Sequence, residues 1–206
     1  RAVDKAGIQY VYPKRAAQIR QEYDRRLRHA KRVDIMGFGL RQFNLDYMRK
    51  LGDLSKHAKF RILIINPSSA HAAARDAEEK QSPDTIKREA DEFIAQFAAL
   101  YPKNTSKLQL RVYDCLPMVN IFRIDGDIFW GPYLLDRNSG NTFTVRARRR
   151  GVVYSQLKAH FDSAWETAHV PTALGPTPAA PAIDARPGTA GQLEASAATA
   201  PAPPES

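Results

Sequence analysis

The stretch Met118-Val-Asn-Ile-Phe-Arg-Ile-Asp-Gly-Asp-Ile-Phe-Trp-Gly131 (MVNIFRIDGDIFWG) is β-rich on both sides of one turn signal. Val119 to Asp125 and Asp127 to Tyr133 alternate as strands, and Asp125-Gly126 between them predicts a short hairpin. Immediately upstream, Leu108 to Asp114 (LQLRVYD) alternates as another strand; downstream, Thr142 to Arg148 reads as one more. Gly151 to His169 then closes as a helix with Val153, Leu157, Phe161 and Trp165 at i, i+4 spacing.

Further upstream, strands alternate with helices. Ile8 to Tyr12 (IQYVY) is β-branched and aromatic, and Lys14 to Lys31 places Ala17, Ile19, Tyr23, Leu27 and Ala30 on one helical face. Val33 to Phe38 (VDIMGF) is a strand, Arg41 to His57 a helix, and Phe60 to Ile65 (FRILII) a strand apolar enough to be covered on both faces. Ser68 to Ser82 is polar and alanine-rich, read as a mobile loop or weak helix. From Ser82-Pro83-Asp84 a helix runs with Ile86, Ala90, Phe93, Ile94, Phe97 and Leu100 as its buried stripe. A βαβαβα order followed by further strands and a helix predicts an α/β domain, a mixed sheet with helices on both faces.

The 206 residues suffice for one domain. Pro171 to Ser206 holds 8 of the 14 prolines, 11 alanines and no aromatic residue, and is expected to be a disordered tail after a domain spanning 1–170. The chain's net charge is +9, and the basic character belongs to that domain, where 30 basic residues face 19 acidic ones, a charge of +11. The single cysteine, Cys115, excludes an intrachain disulfide and a multi-cysteine metal site, and reads as a structural thiol. No apolar run reaches the roughly 18 residues of a membrane span. A cytoplasmic location is the expectation. Because the sequence opens on Arg1, it is read as part of a longer protein, with a lost membrane anchor left open.

The helix AQIRQEYDRRLRHAKR, the strand VDIMGF, the strand FRILIINP and the strands LRVYDC and MVNIFRIDGDIFWG together resemble one half of a phospholipase D superfamily domain, over roughly residues 7–168. The resemblance implies a His-x-Lys-x-x-x-x-Asp strand, with an attacking histidine, a phosphate-holding lysine and an aspartate that orients the opposite histidine. It also implies dimers of single halves. Here Met118 stands at the histidine position, Asn120 at the lysine position and Asp125 at the aspartate position; Pro132 replaces a common phosphate-binding serine. A thioether does not attack phosphorus in this role, and an amide lacks the lysine charge. The resemblance therefore implies a catalytically inactive or strongly diverged domain, with no catalytic residue assigned and no cofactor. Asp125 also fits a plain turn acid before Gly126.

Candidate ligand contacts are Asn120, Arg123 and Asp125 lining a vestigial cleft, with Arg146, Arg148, Arg149 and Arg150 as anion contacts. Strand alternation opposes Arg123 to Asn120, so the three share one pocket only through a bulge. Phe129, Trp130 and Tyr133 are either stacking surfaces or core. A second basic concentration, Arg15, Arg20, Arg25, Arg26, Arg28, Lys31 and Arg32, is a solvated face or a phosphate contact. Asp34, inside an apolar strand, is read first as an edge or first-turn acid in water, and otherwise as a partnered one. Gly37-Phe38-Gly39 lacks a third glycine and the acid of a dinucleotide site, but a phosphate could rest at the following helix start. His57-Ala58-Lys59 is not followed by the required aspartate and is read as helix-end capping. His29, His71, His160 and His169 show no ligand spacing.

The leading expectation is a regulatory or sensing module binding a phosphate-bearing ligand such as a nucleotide, nucleic acid or lipid head group. The alternatives are a phosphodiesterase or nuclease with a rearranged site, His57 or His71 being the first nucleophiles to test, and a basic domain docking an acidic partner or membrane.

Overall fold

The computed structural model describes residues 2–13, 17–137 and 139–175. The elements run α1 Ala2–Ala6, β1 Ile8–Tyr12, α2 Ala17–Leu27, β2 Arg32–Gly37, α3 Arg41–Tyr47, α4 Leu51–Ser55 and β3 Lys59–Ile65. They continue with α5 Ala70–Glu78, α6 Thr85–Leu100, β4 Leu108–Tyr113, β5 Val119–Ile124, β6 Asp127–Pro132, β7 Thr144–Arg148 and α7 Val152–Thr167. Seven strands form one sheet in the order β1-β7-β6-β5-β2-β3-β4. The strands β2, β3 and β4 pair in parallel; the remaining pairings are antiparallel.

Local sequence accounts for this division. Parallel neighbours need crossovers, and helices α3 to α6 supply them on either side of β3. Antiparallel β5 and β6 need only a two-residue turn: Ile124 pairs with Asp127, and Asp125 takes a left-handed φ of 50°. An aspartate tolerates that region better than most residues.

Alternation along β5 sorts the two layers. Phe122 meets Tyr23 of α2 edge-on, centroids 4.1 Å apart, and Phe43 of α3 at 5.8 Å. Phe43 in turn lies 6.3 Å from Phe93 of α6. On the opposite face Arg123 approaches Tyr154 of α7, and Arg61 of β3 lies over Phe161 and Trp165 of the same helix at 4.8 and 5.3 Å. Phe60 through Ile65 are all buried, as a strand covered on both faces requires. Each such apolar side chain contributes about 1.5–3 kcal/mol. The mixed α/β sheet with helices on both faces is thus the observed architecture.

Four particulars differ from the sequence reading. Asp34 is not in water: it is wholly buried, with Arg61 and Arg123 directly beside it on the neighbouring strands. Ser68 to Ser82 is not the mobile loop of the first alternative but holds the helix of the second, α5, whose N-terminus is capped by Ser69 accepting from the His71 amide at 3.2 Å. The first helical segment is shorter than expected and a small α1 precedes β1; Lys14 to Ala16 lie outside the described residues. Past Val170 the chain makes a 3-10 turn, Thr172–Leu174, that buries Leu174. The rest of the expected tail, 176–206, lies outside the described residues.

One close approach fixes the sheet's far edge. Gly7 has φ +77°, and a Cβ there would stand 2.6 Å from the Cα of Gly151. No side chain fits at that crossing.

Candidate functional site

A pocket of about 430 Å³ opens at the C-terminal end of β2. Its floor is Ile35 and Met36 of β2 with Ile121 and Phe122 of β5; Gly37 to Phe43 form one wall, and Ile86 and Glu89 of α6 another. Tyr133 and Glu79 close the side toward α5. That volume falls in the range of small-molecule sites, and the mostly apolar lining with a few polar groups is their usual chemistry.

Two tyrosines hold the loop after β2. The Phe38 amide donates to the Tyr133 hydroxyl at 3.3 Å, while the buried Tyr113 hydroxyl donates to the Gly37 carbonyl at 2.9 Å. Leu40 is forced into the left-handed region, φ 50° and ψ 26°, where a leucine is strained by about 1–3 kcal/mol. Gly39 allows α6 to approach: a Cβ there would lie 2.6 Å from the Glu89 Cβ.

Arg75 of α5 ties the opposite side. It is 2% exposed, and its guanidinium donates to the Leu134 carbonyl at 3.2 Å, the Arg137 carbonyl at 3.0 Å and Glu79 at 2.8 Å. Its plane lies 5.0 Å from the Tyr133 ring and 6.0 Å from that of Phe38. The segment after β6 is thereby bound to α5 across the pocket side.

The polar groups facing the pocket are mixed: Arg20 and Arg41 bring donors, Asp46, Glu79 and Glu89 bring acceptors, and Asn120, Gln42 and the tyrosines bring both. Asn120 is 5% exposed, and its Nδ2 donates to the Gly131 carbonyl at 3.0 Å. Burial raises the Glu89 pKa, against the pull of Arg41, with Glu79 and Asp76 adding repulsion. Glu79 is also raised, by burial first, although Arg75 opposes the shift. Arg41 stands 4.0 Å from Glu89, and Arg20 pairs with Asp46 at 3.1 Å on the rim. No histidine, lysine, cysteine or serine lines the pocket among the described residues.

The sequence-selected residues do not form one cleft. Asn120 is in the pocket wall; Arg123 is buried on the other sheet face, donating to Asp34 at 2.7 Å and to the Asp125 carbonyl at 3.1 Å. No bulge interrupts the pairing of β5 with β2 or β6, so strand alternation keeps Arg123 and Asn120 apart. Asp125 caps the start of β2 instead, accepting from the Lys31 and Arg32 amides at 3.0 and 2.8 Å. It lies at the opposite end of β5 from Asn120, roughly 17 Å away at the usual strand rise.

The arginines divide as well. Arg146 is committed to Glu22 at 2.6 Å. Arg148, Arg149 and Arg150 are exposed at the turn into α7, beside the Asp125–Gly126 end. Of the α2 arginines, Arg20, Arg25 and Arg26 are paired with carboxylates, whereas Arg15 lies outside the described residues. His57 does sit at a helix end, its Nε2 3.3 Å from the Leu27 carbonyl. Glu79, Glu89 and Arg75 were not singled out by sequence. Glu89 follows the core residue Ile86 by three positions, and that adjacency to the buried stripe of α6 is the signal that could have marked it.

A family model described as "Domain of unknown function (DUF5919)" matches residues 4–152. The chain belongs to that family. The DUF5919 match takes in the pocket and all seven strands, and stops at the first residue of α7. No curated protein matches the sequence. Among solved structures, the DUF5919 chain is similar to Nuc from Salmonella typhimurium, a phospholipase D family member. Identity is 14% and the TM-score 0.50, with 80% of this chain and 97% of that one covered. It is also similar to TrmBL2, an archaeal chromatin protein described as binding DNA, at 15% identity and TM-score 0.46, covering 77% of this chain and 52% of that one. The chain thus spans about half the length of TrmBL2. At such identities the likeness is one of fold: this DUF5919 domain has a phospholipase D-like α/β fold.

Proposed function

We propose that this DUF5919 domain is a binding module, without phospholipase D chemistry, that holds a small organic ligand in the pocket at the end of β2 and serves as the sensing part of a larger protein. The observation that carries this reading is Asn120: a carboxamide nine-tenths buried, its nitrogen held by the Gly131 carbonyl, on the wall of a 430 Å³ pocket. With Glu89 and Glu79 beside it, the pocket offers acceptors to a ligand that brings hydroxyl or amino donors. With Arg20 paired to Asp46 and Arg41 beside Glu89, a phosphomonoester dianion would meet carboxylates as well as guanidiniums, so the pocket favours polyols and amines over phosphomonoesters.

The lining supports binding rather than turnover, since the superfamily reaction needs an imidazole and an ammonium. Under the resemblance those places are taken by exposed Met118 and by Asn120. Exposed Leu116, Met118, Leu134 and Leu135 flank the pocket end of β5 and β6 and support self-association there.

Thermal shift tests the reading with a panel of polyols, amines and phosphomonoesters. A true ligand at a hundred times its Kd stabilises the domain by about 2.7 kcal/mol. Asn120→Leu removes that shift for the same compound while the unliganded protein stays folded. Stabilisation by phosphomonoesters alone, or an equal shift in Asn120→Leu, defeats the assignment. Turnover of a generic phosphodiester by the purified chain defeats the non-catalytic part.

A further inference from the structure

We infer that the end of the sheet opposite the pocket is a docking edge for the phosphate backbone of a nucleic acid. This inference stands apart from the pocket and does not depend on its ligand. Six cationic side chains far apart in sequence meet there: Arg148 ends β7 and Arg149 follows it, Lys31 and Arg32 open β2, Lys59 opens β3, and Lys107 precedes β4. All six residues are exposed.

Backbone hydrogen bonds set their positions. The Arg149 amide donates to the Gly126 carbonyl at 2.6 Å, and the Asp125 amide to the Arg32 carbonyl at 2.9 Å. The Lys59 amide donates to the Lys31 carbonyl at 2.8 Å, and the Phe60 amide to the Lys107 carbonyl at 2.7 Å. In the strand order β7-β6-β5-β2-β3-β4, these positions cross five strand spacings of about 4.8 Å, a row roughly 24 Å long. One phosphate group covers a small part of such a row; a repeating phosphodiester covers all of it.

The carboxylates at this end are already engaged. Asp125 accepts the amides of Lys31 and Arg32, and Asp127 pairs with Arg26. Among the described residues, Lys31, Lys59, Lys107, Arg148 and Arg149 have no carboxylate within 4.0 Å, and Arg32 reaches buried Asp34 only at 3.8 Å. Asp125 keeps its own charge, since backbone amides are neutral, but six cations against that one carboxylate leave the row strongly cationic. A bilayer would also need apolar anchors, and the main concentration of exposed apolar side chains (Leu116, Met118, Leu134, Leu135 and Phe143) flanks β5, β6 and β7 at the other end. Contacts of this kind bind the backbone and read no bases.

Fluorescence anisotropy of a labelled duplex DNA and of a single strand of equal length, titrated with the full 206-residue chain over a salt series, tests the inference. Duplex binding is expected to be indifferent to sequence and to weaken linearly in log salt. The variant Lys31→Gln/Lys59→Gln/Arg149→Gln lowers that slope by about 2.7 and weakens binding about tenfold or more near 0.1 M salt. If the single strand is preferred, the same edge holds a flexible backbone, provided the variant shows the same loss. An unchanged circular dichroism melt shows that the variant is folded. No binding to either nucleic acid at low salt, binding unaffected by the substitutions, or tighter binding to phosphatidylserine vesicles or polyglutamate overturns it.

Discussion

Asp34 of β2 and Arg61 of β3 face each other in register, and the guanidinium holds both carboxylate oxygens at 2.8 Å. Arg123, in register on β5, reaches the same carboxylate from the other side, and Arg61 extends to Asp162 of α7 at 2.7 Å. Burial alone would lower the Arg61 pKa, yet the two aspartates outweigh it and hold the guanidinium firmly charged. Replacing Asp34 strands two buried cations. Asp34→Ala is expected to destabilise the domain by about 3–5 kcal/mol, read by urea denaturation. Asp162→Ala, at a partly exposed position, costs about 1 kcal/mol or less. Equal effects of the two would contradict the central place given to Asp34.

Arg75 carries the corresponding prediction for the pocket wall. Arg75→Met keeps the apolar contact with Phe38 and Tyr133 but takes the cation from Glu79 and the donors from two carbonyls. A loss of about 3–5 kcal/mol is expected, with faster protease cleavage after Leu134. Cleavage unchanged in position and rate would show that the strap is unnecessary.

Glu89 gives a pH signature with a definite sign. Its pKa is raised in the folded state by burial, so the folded protein prefers the protonated form. The stability this group contributes is complete below the unfolded glutamate value of about 4.3 and is lost as pH rises through the higher folded value. Relative to the wild type, Glu89→Gln should therefore gain stability as pH climbs from about 4 toward 7. Parallel pH profiles for the two proteins would refute the assignment.

Gly131 tests how tightly the pocket end is packed. A Cβ there would lie 2.7 Å from the Phe143 carbonyl oxygen and 3.3 Å from the Asn120 Nδ2. Gly131→Ala is expected to cost about 1–3 kcal/mol and to turn the Asn120 amide. An amide resonance of Asn120 unmoved in the variant would contradict that geometry.

The sheet was legible because its signals are local. Asp125-Gly126 marks the hairpin and FRILII the doubly covered strand, and neither needs a distant partner to be read. Asp34 was misread because its partners, Arg61 and Arg123, lie 27 and 89 residues away and become neighbours only through register. Arg75 was hidden in an alanine-rich segment that reads as a mobile loop or weak helix, while its burial depends on carbonyls of residues 134 and 137. Of the pocket, Asn120 was marked through a motif position and Gly37-Phe38-Gly39 through its place before a helix start, whereas Glu89 and Glu79 were not singled out. The basic residues were read as two clusters along the chain. Folding redistributes them: Arg20, Arg25, Arg26 and Arg146 are spent on ion pairs, while Lys31, Lys59 and Arg149 are gathered to one sheet edge.

Crystals soaked in a library of small polyols and amines provide the most direct measurement of whether the pocket is a binding site. The account predicts density between Asn120 and Glu89, with a ligand donor on the Asn120 Oδ1 and the Gly37 to Phe43 wall in place. A pocket left empty throughout the library, with compounds settling elsewhere on the domain, would contradict it.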